Sequence, residues 1–256
     1  MRSYLIIIYT IVSVAATAQV KRTKVPSYFG FQIRPVFPTR FIGEPQLNLA
    51  TSANDTISFA TSLKQKVGYS FGGTVRAGIT KLIAIETGIN FTQRNFDIEM
   101  SLPDSNIYAS NDISFISYDI PVNALFYIRL AEKWYMNASL GVSLTFKPTD
   151  VAVSTGTDTP NSFIHAGFLR SKVGGNLNAN VGFEFRTEKS GFFYLGGSGT
   201  VPFAPLFDLG VLYKYEGIER NLTGEVDGSF LSVDFKYFFP NIRNKGVQFQ
   251  EGPIVQ

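Results

Sequence analysis

"FLSVDFKYFF", residues 230–239, alternates without a break, with Leu231, Val233, Phe235, Tyr237 and Phe239 on one face and Ser232, Asp234 and Lys236 on the other. Successive side chains of a strand point to opposite sides of the sheet, so this is a strand with one wholly apolar face and one polar, charged face. Working outward from it, seven further segments repeat the pattern. Phe29, Phe31, Ile33 and Phe37 alternate against Gly30, Gln32 and Arg34; Tyr69, Phe71 and Val75 against Ser70, Thr74 and Arg76; Ile83, Ile85, Ile89 and Phe91 against Glu86 and Asn90. Ile116 to Ile128 face away from Ser117, Asp119 and Asn123, Trp134 to Phe146 oppose Asn137 to Thr145, and Leu177 to Phe185 oppose Asn176 to Glu184. The seventh starts near Phe192, is Gly-rich, and resumes its alternation from Phe207 to Tyr215.

A water-soluble sandwich also alternates, so the composition of the polar face decides between architectures. Here that face is Gly, Ser, Thr and Asn with isolated charges, which suits a narrow, closed interior. Eight strands closed into a barrel leave a lumen just wide enough for side chains, and the apolar face then meets lipid. The sequence predicts an all-β fold, an eight-stranded antiparallel up-and-down transmembrane β-barrel. Ten strands are the alternative, if residues 192–204 and 206–216 are separate wall strands; one long seventh strand continuing beyond the membrane is the reading preferred. The links after segments two, four and six are short (Thr80-Lys81, Ala131 to Lys133, Thr187 to Ser190), whereas Pro38 to Gln65 and Lys147 to Ser171 are long and polar. Outer-membrane barrels place short turns in the periplasm and long loops outside, so both termini are expected in the periplasm.

Composition agrees. Of the 256 residues 45% are hydrophobic and only 17% charged, with 24 Phe, 12 Tyr and 23 Gly, against about 25% charged in a soluble domain. There is no Cys, which excludes disulfides, thiolate metal sites and a Cys nucleophile. The net charge of +3 is dispersed, so no nucleic-acid partner is expected. Arg2, the apolar run Tyr4 to Val14 and Ala16-Thr17-Ala18 read as a signal peptide over residues 1–18, leaving the barrel over 19–239 and a periplasmic tail over 240–256.

The strand "SYDIPVNALFYI" (117–128) and the closing "SFLSVDFKYFF" (229–239) resemble the small outer-membrane β-barrel proteins of Bacteroidota, including PorT-like members, and more loosely the OmpA and OmpX barrels. The resemblance implies an accessory component of secretion or assembly machinery. It also implies that Leu231, Val233, Phe235, Tyr237 and Phe239 form the signal read by the barrel-assembly machinery. A periplasmic aromatic girdle is expected from Tyr28, Phe29, Phe126, Tyr127, Trp134, Tyr135, Phe192, Phe193, Tyr237 and Phe239. Arg34, Arg76, Glu86, Asp119, Glu184, Asp234 and Lys236 are expected to form a lumen charge network, because buried charges must be paired.

No catalytic residue, metal site or cofactor is expected. His165 is the single histidine; Ser162, Ser171 and Asp158 lie near it in sequence, but a triad is a matter of geometry. The expected function is non-enzymatic: a structural or accessory barrel contacting outer-membrane lipid and other envelope proteins through its loops or its tail. A small pore and a surface-interaction barrel acting through its loops are the alternatives.

Overall fold

The computed structural model describes residues 27–52, 55, 57–80, 82–148, 150–155, 162–187, 190–216 and 218–240, with 151–155 as backbone alone. The expected signal peptide and residues 241–256 lie outside them. The described residues form fourteen strands: β1 Ser27–Phe37, β2 Gln46–Ala50, β3 Ala60–Gln65, β4 Gly68–Gly78, β5 Ile83–Leu102, β6 Ile107–Arg129, β7 Trp134–Phe146, β8 Val151–Thr155, β9 Ser162–Phe168, β10 Val173–Arg186, β11 Phe192–Pro202, β12 Phe207–Tyr215, β13 Ile218–Val226 and β14 Phe230–Phe238. Eight of them close a ring in the order β1, β4, β5, β6, β7, β10, β11, β14, every neighbour antiparallel. This is the eight-stranded barrel read from the sequence, with β14 closing it on β1 through pairs such as Phe31 with Tyr237 and Ile33 with Phe235. The apolar face points out: Phe29, Phe31, Ile33, Leu140, Leu195 and Phe235 are all exposed. Their alternate neighbours Gln32, Ser143, Thr145, Tyr194 and Asp234 are buried.

Two expectations are corrected. The seventh segment is not one long strand. Pro202 and Pro205 lack the N–H that would continue the ladder, so β11 ends at Pro202 and β12 leaves the wall for a second sheet. The ten-stranded alternative fails for the same reason, because β12 pairs with β9 and β13 rather than with any wall strand. The long segments are also not open loops. β2 and β3 form a hairpin that adds to β5, while β8, β9, β12 and β13 form a separate four-stranded sheet.

β5 and β6 show how one strand serves both bodies. On β5 the inward positions Glu86, Asn90 and Thr92 are polar, but Phe96, Ile98, Met100 and Leu102, on the same face, are apolar and buried. The outward positions change the other way, from Ile85, Ile89 and Phe91 to Gln93, Asn95, Asp97 and Glu99. β6 inverts at the matching rung, with Gln93 opposite Ile116: Ser117 and Asp119 lie inside below it, Ile113 and Phe115 inside above it. An apolar outer face fits lipid and a polar one fits water, so the membrane ends at that rung. The ten residues from Gln93 to Leu102 then reach about 30 Å beyond it at ~3.3 Å per residue.

Above the rung the two sheets pack face to face around their own apolar core. Phe59, Leu63, Phe96, Ile98, Met100, Ile113 and Phe115 on one side meet Phe163, Phe207, Leu209, Val211, Tyr213 and Val226 on the other. Phe207 stacks on Phe115 at 4.0 Å and meets the edge of Phe96 at 5.4 Å. The result is a β-sandwich cap over the barrel mouth.

Candidate functional site: the sealed lumen and its cap

The lumen side chains fall into three tiers. At the end carrying the short turns, five charged groups form an alternating chain. Lys236 Nζ donates to Glu86 Oε1 at 2.5 Å, Arg76 donates from Nε and Nη2 to Glu86 Oε2 at 3.0 and 2.6 Å, and its Nη1 reaches Glu184 Oε2 at 2.5 Å. Arg186 closes the chain on Glu184 Oε1 at 2.8 and 2.6 Å. Every member is at most 8% exposed. Each carboxylate is therefore held between two cations, which is what makes buried charge tolerable. Aromatic rings fill the space around it: Arg76 lies 4.2 Å from the centre of Phe238, and Arg186 lies 4.6 Å from Tyr135 and 5.1 Å from Phe192.

The middle tier holds its carboxylates with neutral donors. Asp119 accepts from Thr145 at 2.6 Å and Thr92 at 2.8 Å; Asp234 accepts from Asn180 at 2.6 Å, Ser232 at 2.8 Å and Ser198 at 3.0 Å. Between these groups lies a cavity of about 30 Å³, lined among others by Gln32, Asn90, Asn123, Asn178 and Thr200, with room for a water or two. The upper tier consists of Arg34, whose Nη2 donates to Ser70 at 3.1 Å, Arg94, which donates to the Gly228 carbonyl, and Lys147, which donates to the Leu206 carbonyl at 3.0 Å.

All seven charged residues expected in the lumen face it. They do not make one network. Arg76, Glu86, Glu184 and Lys236 join in the lower chain, whereas Arg34, Asp119 and Asp234 bond to hydroxyls and amides. Sequence reasoning omitted Arg186, Arg94 and Lys147, although each sits two residues from an inward polar residue, Glu184, Thr92 and Thr145, and so shares its face. The aromatic girdle is corrected in part. Phe29, Phe126, Trp134, Phe193, Tyr237 and Phe239 face outward, but Tyr28, Tyr127, Tyr135 and Phe192 are buried in the lumen around the arginines. Paired aromatics such as Phe126-Tyr127 cannot both face lipid, because neighbours on a strand point opposite ways.

His165 lies on β9 in the cap core, 1% exposed, and neither ring nitrogen has a partner among the described residues. It does not meet Ser162 or Ser171, and Asp158 is outside the described residues. Burial holds the imidazole below its ordinary pKa. Among the described residues no cluster of three or more His, Asp or Glu could hold a metal ion.

The chain is similar to two solved structures at 10% identity. One is the outer membrane protein OprG from Pseudomonas aeruginosa, with a TM-score of 0.48 over 84% of this chain and 96% of that one. The other is the beta domain of the Bordetella autotransporter BrkA, with a TM-score of 0.32 over 83% of this chain and 100% of that one. No curated protein sequence matches the chain. The family profile described as outer membrane protein beta-barrel domain matches residues 44–208, well over half the sequence. That span runs through β2 to the start of β12, taking in wall and cap together, and the chain belongs to the outer membrane protein beta-barrel domain family.

Proposed function

We propose that this outer-membrane barrel is a non-enzymatic, non-conducting anchor that acts through its extracellular cap, as an accessory component of an envelope complex. One observation carries this reading: a folded cap with its own apolar core stands over a lumen whose central cavity is only about 30 Å³. A conducting barrel needs a continuous aqueous path, whereas here a charge chain packed with aromatics fills one end. A rigid sandwich offers instead a preorganised surface for a partner. The strands "SYDIPVNALFYI" and "SFLSVDFKYFF" support the finer reading of a PorT-like accessory to secretion or assembly, with Leu231, Val233, Phe235, Tyr237 and Phe239 addressed by the assembly machinery. The three short turns at the end opposite the cap support periplasmic termini.

Affinity capture of the chain, tagged at a cap turn and solubilised from its native envelope in mild detergent, tests the reading together with planar-bilayer recording on the same sample. The expected result is a stoichiometric partner and no unitary conductance. A solitary barrel that conducts would overturn it.

A further inference from the structure

The connector from β1 to β2 comes down the outside of the wall. A Cβ on Gly199, which shares the outward face of β11 with Phe193 and Leu195, would lie 3.5 Å from Ile42 Cδ1 and 3.5 Å from Leu231 Cδ2. Gly199 and Leu231 pair across β11 and β14 near the ends of those strands that lead to the cap. The missing side chain at Gly199 leaves the notch that Ile42 fills. The wall stays apolar around it: Phe37, the register partner of Leu231, and Val201 are exposed, and Phe203, also exposed, lies over Gly175 on the neighbouring strand.

The chain on either side fixes this segment. The Phe41 N–H donates to Thr39 Oγ1 at 3.0 Å, and the Glu44 N–H donates to Asp227 Oδ2 at 3.0 Å. A Cβ on Gly43 would collide with the Asp227 carboxylate and with Ser229, so a glycine is needed where the segment closes on the connector from β13 to β14. Between these ties Phe41 projects freely, 87% exposed, the most exposed large apolar side chain among the described residues. Arg40 before it is exposed too, and it has no hydrogen bond or ion pair among the described residues. A contiguous exposed apolar patch marks an interaction surface, and this one is continuous with a wall that already meets lipid. An apolar side chain at the edge of the hydrocarbon with a cation next to it is the composition of an interfacial anchor.

We propose that residues 40–42 clamp the barrel to the outer leaflet, with Phe41 and Ile42 among the acyl chains and the Arg40 guanidinium on a lipid headgroup phosphate. The guanidinium fork presents paired N–H donors that match a phosphate. Gly43 and Glu44 rest on the connector that brings the chain from the cap back to the wall, so the clamp also sets the height at which the cap meets the membrane. This inference stands whether or not the cap has a protein partner.

The full chain carrying Trp134→Phe and Phe41→Trp has its one Trp in the clamp. Reconstituted in vesicles of phosphatidylcholine brominated on the acyl chains, it is expected to emit at a blue-shifted wavelength and to be quenched relative to unbrominated vesicles. Emission at the wavelength of Trp in water, without quenching, would overturn the proposal and leave the patch to a protein partner. Native mass spectrometry of the chain offered phosphatidylglycerol and digalactosyldiacylglycerol, which carries no phosphate, tests Arg40. The wild type is expected to retain the phospholipid in preference, and Arg40→Gln to retain less of it with its galactolipid unchanged. Equal retention of phosphatidylglycerol by both would overturn the phosphate contact. Phe41 and Arg40 are both exposed, so neither substitution disturbs the packing of the barrel.

Discussion

At the residue scale, the lower charge chain has a pivot in Glu184, which alone joins Arg76 to Arg186 and also accepts from Asn137 at 3.2 Å. Glu184→Gln keeps the shape but leaves two buried guanidinium groups short of an anion, which costs about 3–5 kcal/mol where a buried pair is broken. Urea unfolding in lipid vesicles is expected to show a loss of that order, and Glu184→Gln combined with Arg186→Gln should recover part of it. His165 makes a different prediction, because its cost depends on pH. The folded cap holds it neutral, so between its lowered value and the ordinary ~6.5 the unfolded chain binds more protons than the folded one. Cap stability is thus intact above about pH 6.5 and falls as pH drops through that range. Hydrogen exchange of the β9 and β12 amides, corrected for intrinsic rates, should show protection weakening from pH 7 to pH 5, and His165→Leu should abolish the pH dependence. Persistence of the full effect in the variant would place its origin elsewhere.

At the element scale, β5 and β6 carry the boundary between lipid and water in their own alternation. The absence of cysteine allows a direct check, since a single introduced thiol reports on its own position. Asp97→Cys, on the outward face above the Gln93–Ile116 rung, should react with a membrane-impermeant maleimide in intact vesicles, and Ile89→Cys, on the same face below it, should stay unlabelled. Equal labelling would move the boundary. The same strands show what was legible in the sequence. The wall was legible because its period of two pairs lipid-facing Ile, Phe and Val with small polar partners, and because proximity in sequence makes wall neighbours of most consecutive segments. The cap was not. Phe96, Ile98, Met100, Ile113 and Phe115 alternate as regularly as the wall strands, but on the opposite face, and nothing local says that the greasy side has ceased to be the outside. β12 reads as a continuation of the seventh strand for the same reason: Phe207, Leu209, Val211 and Tyr213 repeat the alternation of the wall, and only pairing with β9, whose register sets Val211 beside His165, shows that the apolar face looks into a sandwich. Partners distant in sequence, such as Arg76 and Glu184 on β4 and β10, escape the reading as well, since face can be deduced from parity and height across the lumen cannot.

At the scale of the whole molecule, two bodies of opposite polarity share one set of strands. The barrel has an apolar exterior and a polar interior, while the cap has a polar exterior along β5 and β6 and an apolar interior. Their stabilities rest on different terms. In the bilayer, closure of the ladder pairs backbone groups that lipid cannot satisfy and sets the cost of opening the barrel. In water, the cap depends on burial of side chains such as Phe59, Phe96 and Phe207, which the lipid does nothing to support. A core cavity should therefore unfold one body and spare the other. Phe207→Ala removes the ring that touches both Phe96 and Phe115, at a cost of about 3–5 kcal/mol to the cap. With the barrel reconstituted in vesicles, limited proteolysis of this variant should cut the connectors over 147–172 and 203–229, whereas the wall strands should remain protected and the barrel should keep its β circular dichroism on heating. A wall that melted together with the cap would show instead that the sandwich is required for the ring to close, and the chain would then be one cooperative unit rather than a membrane anchor bearing a separable head.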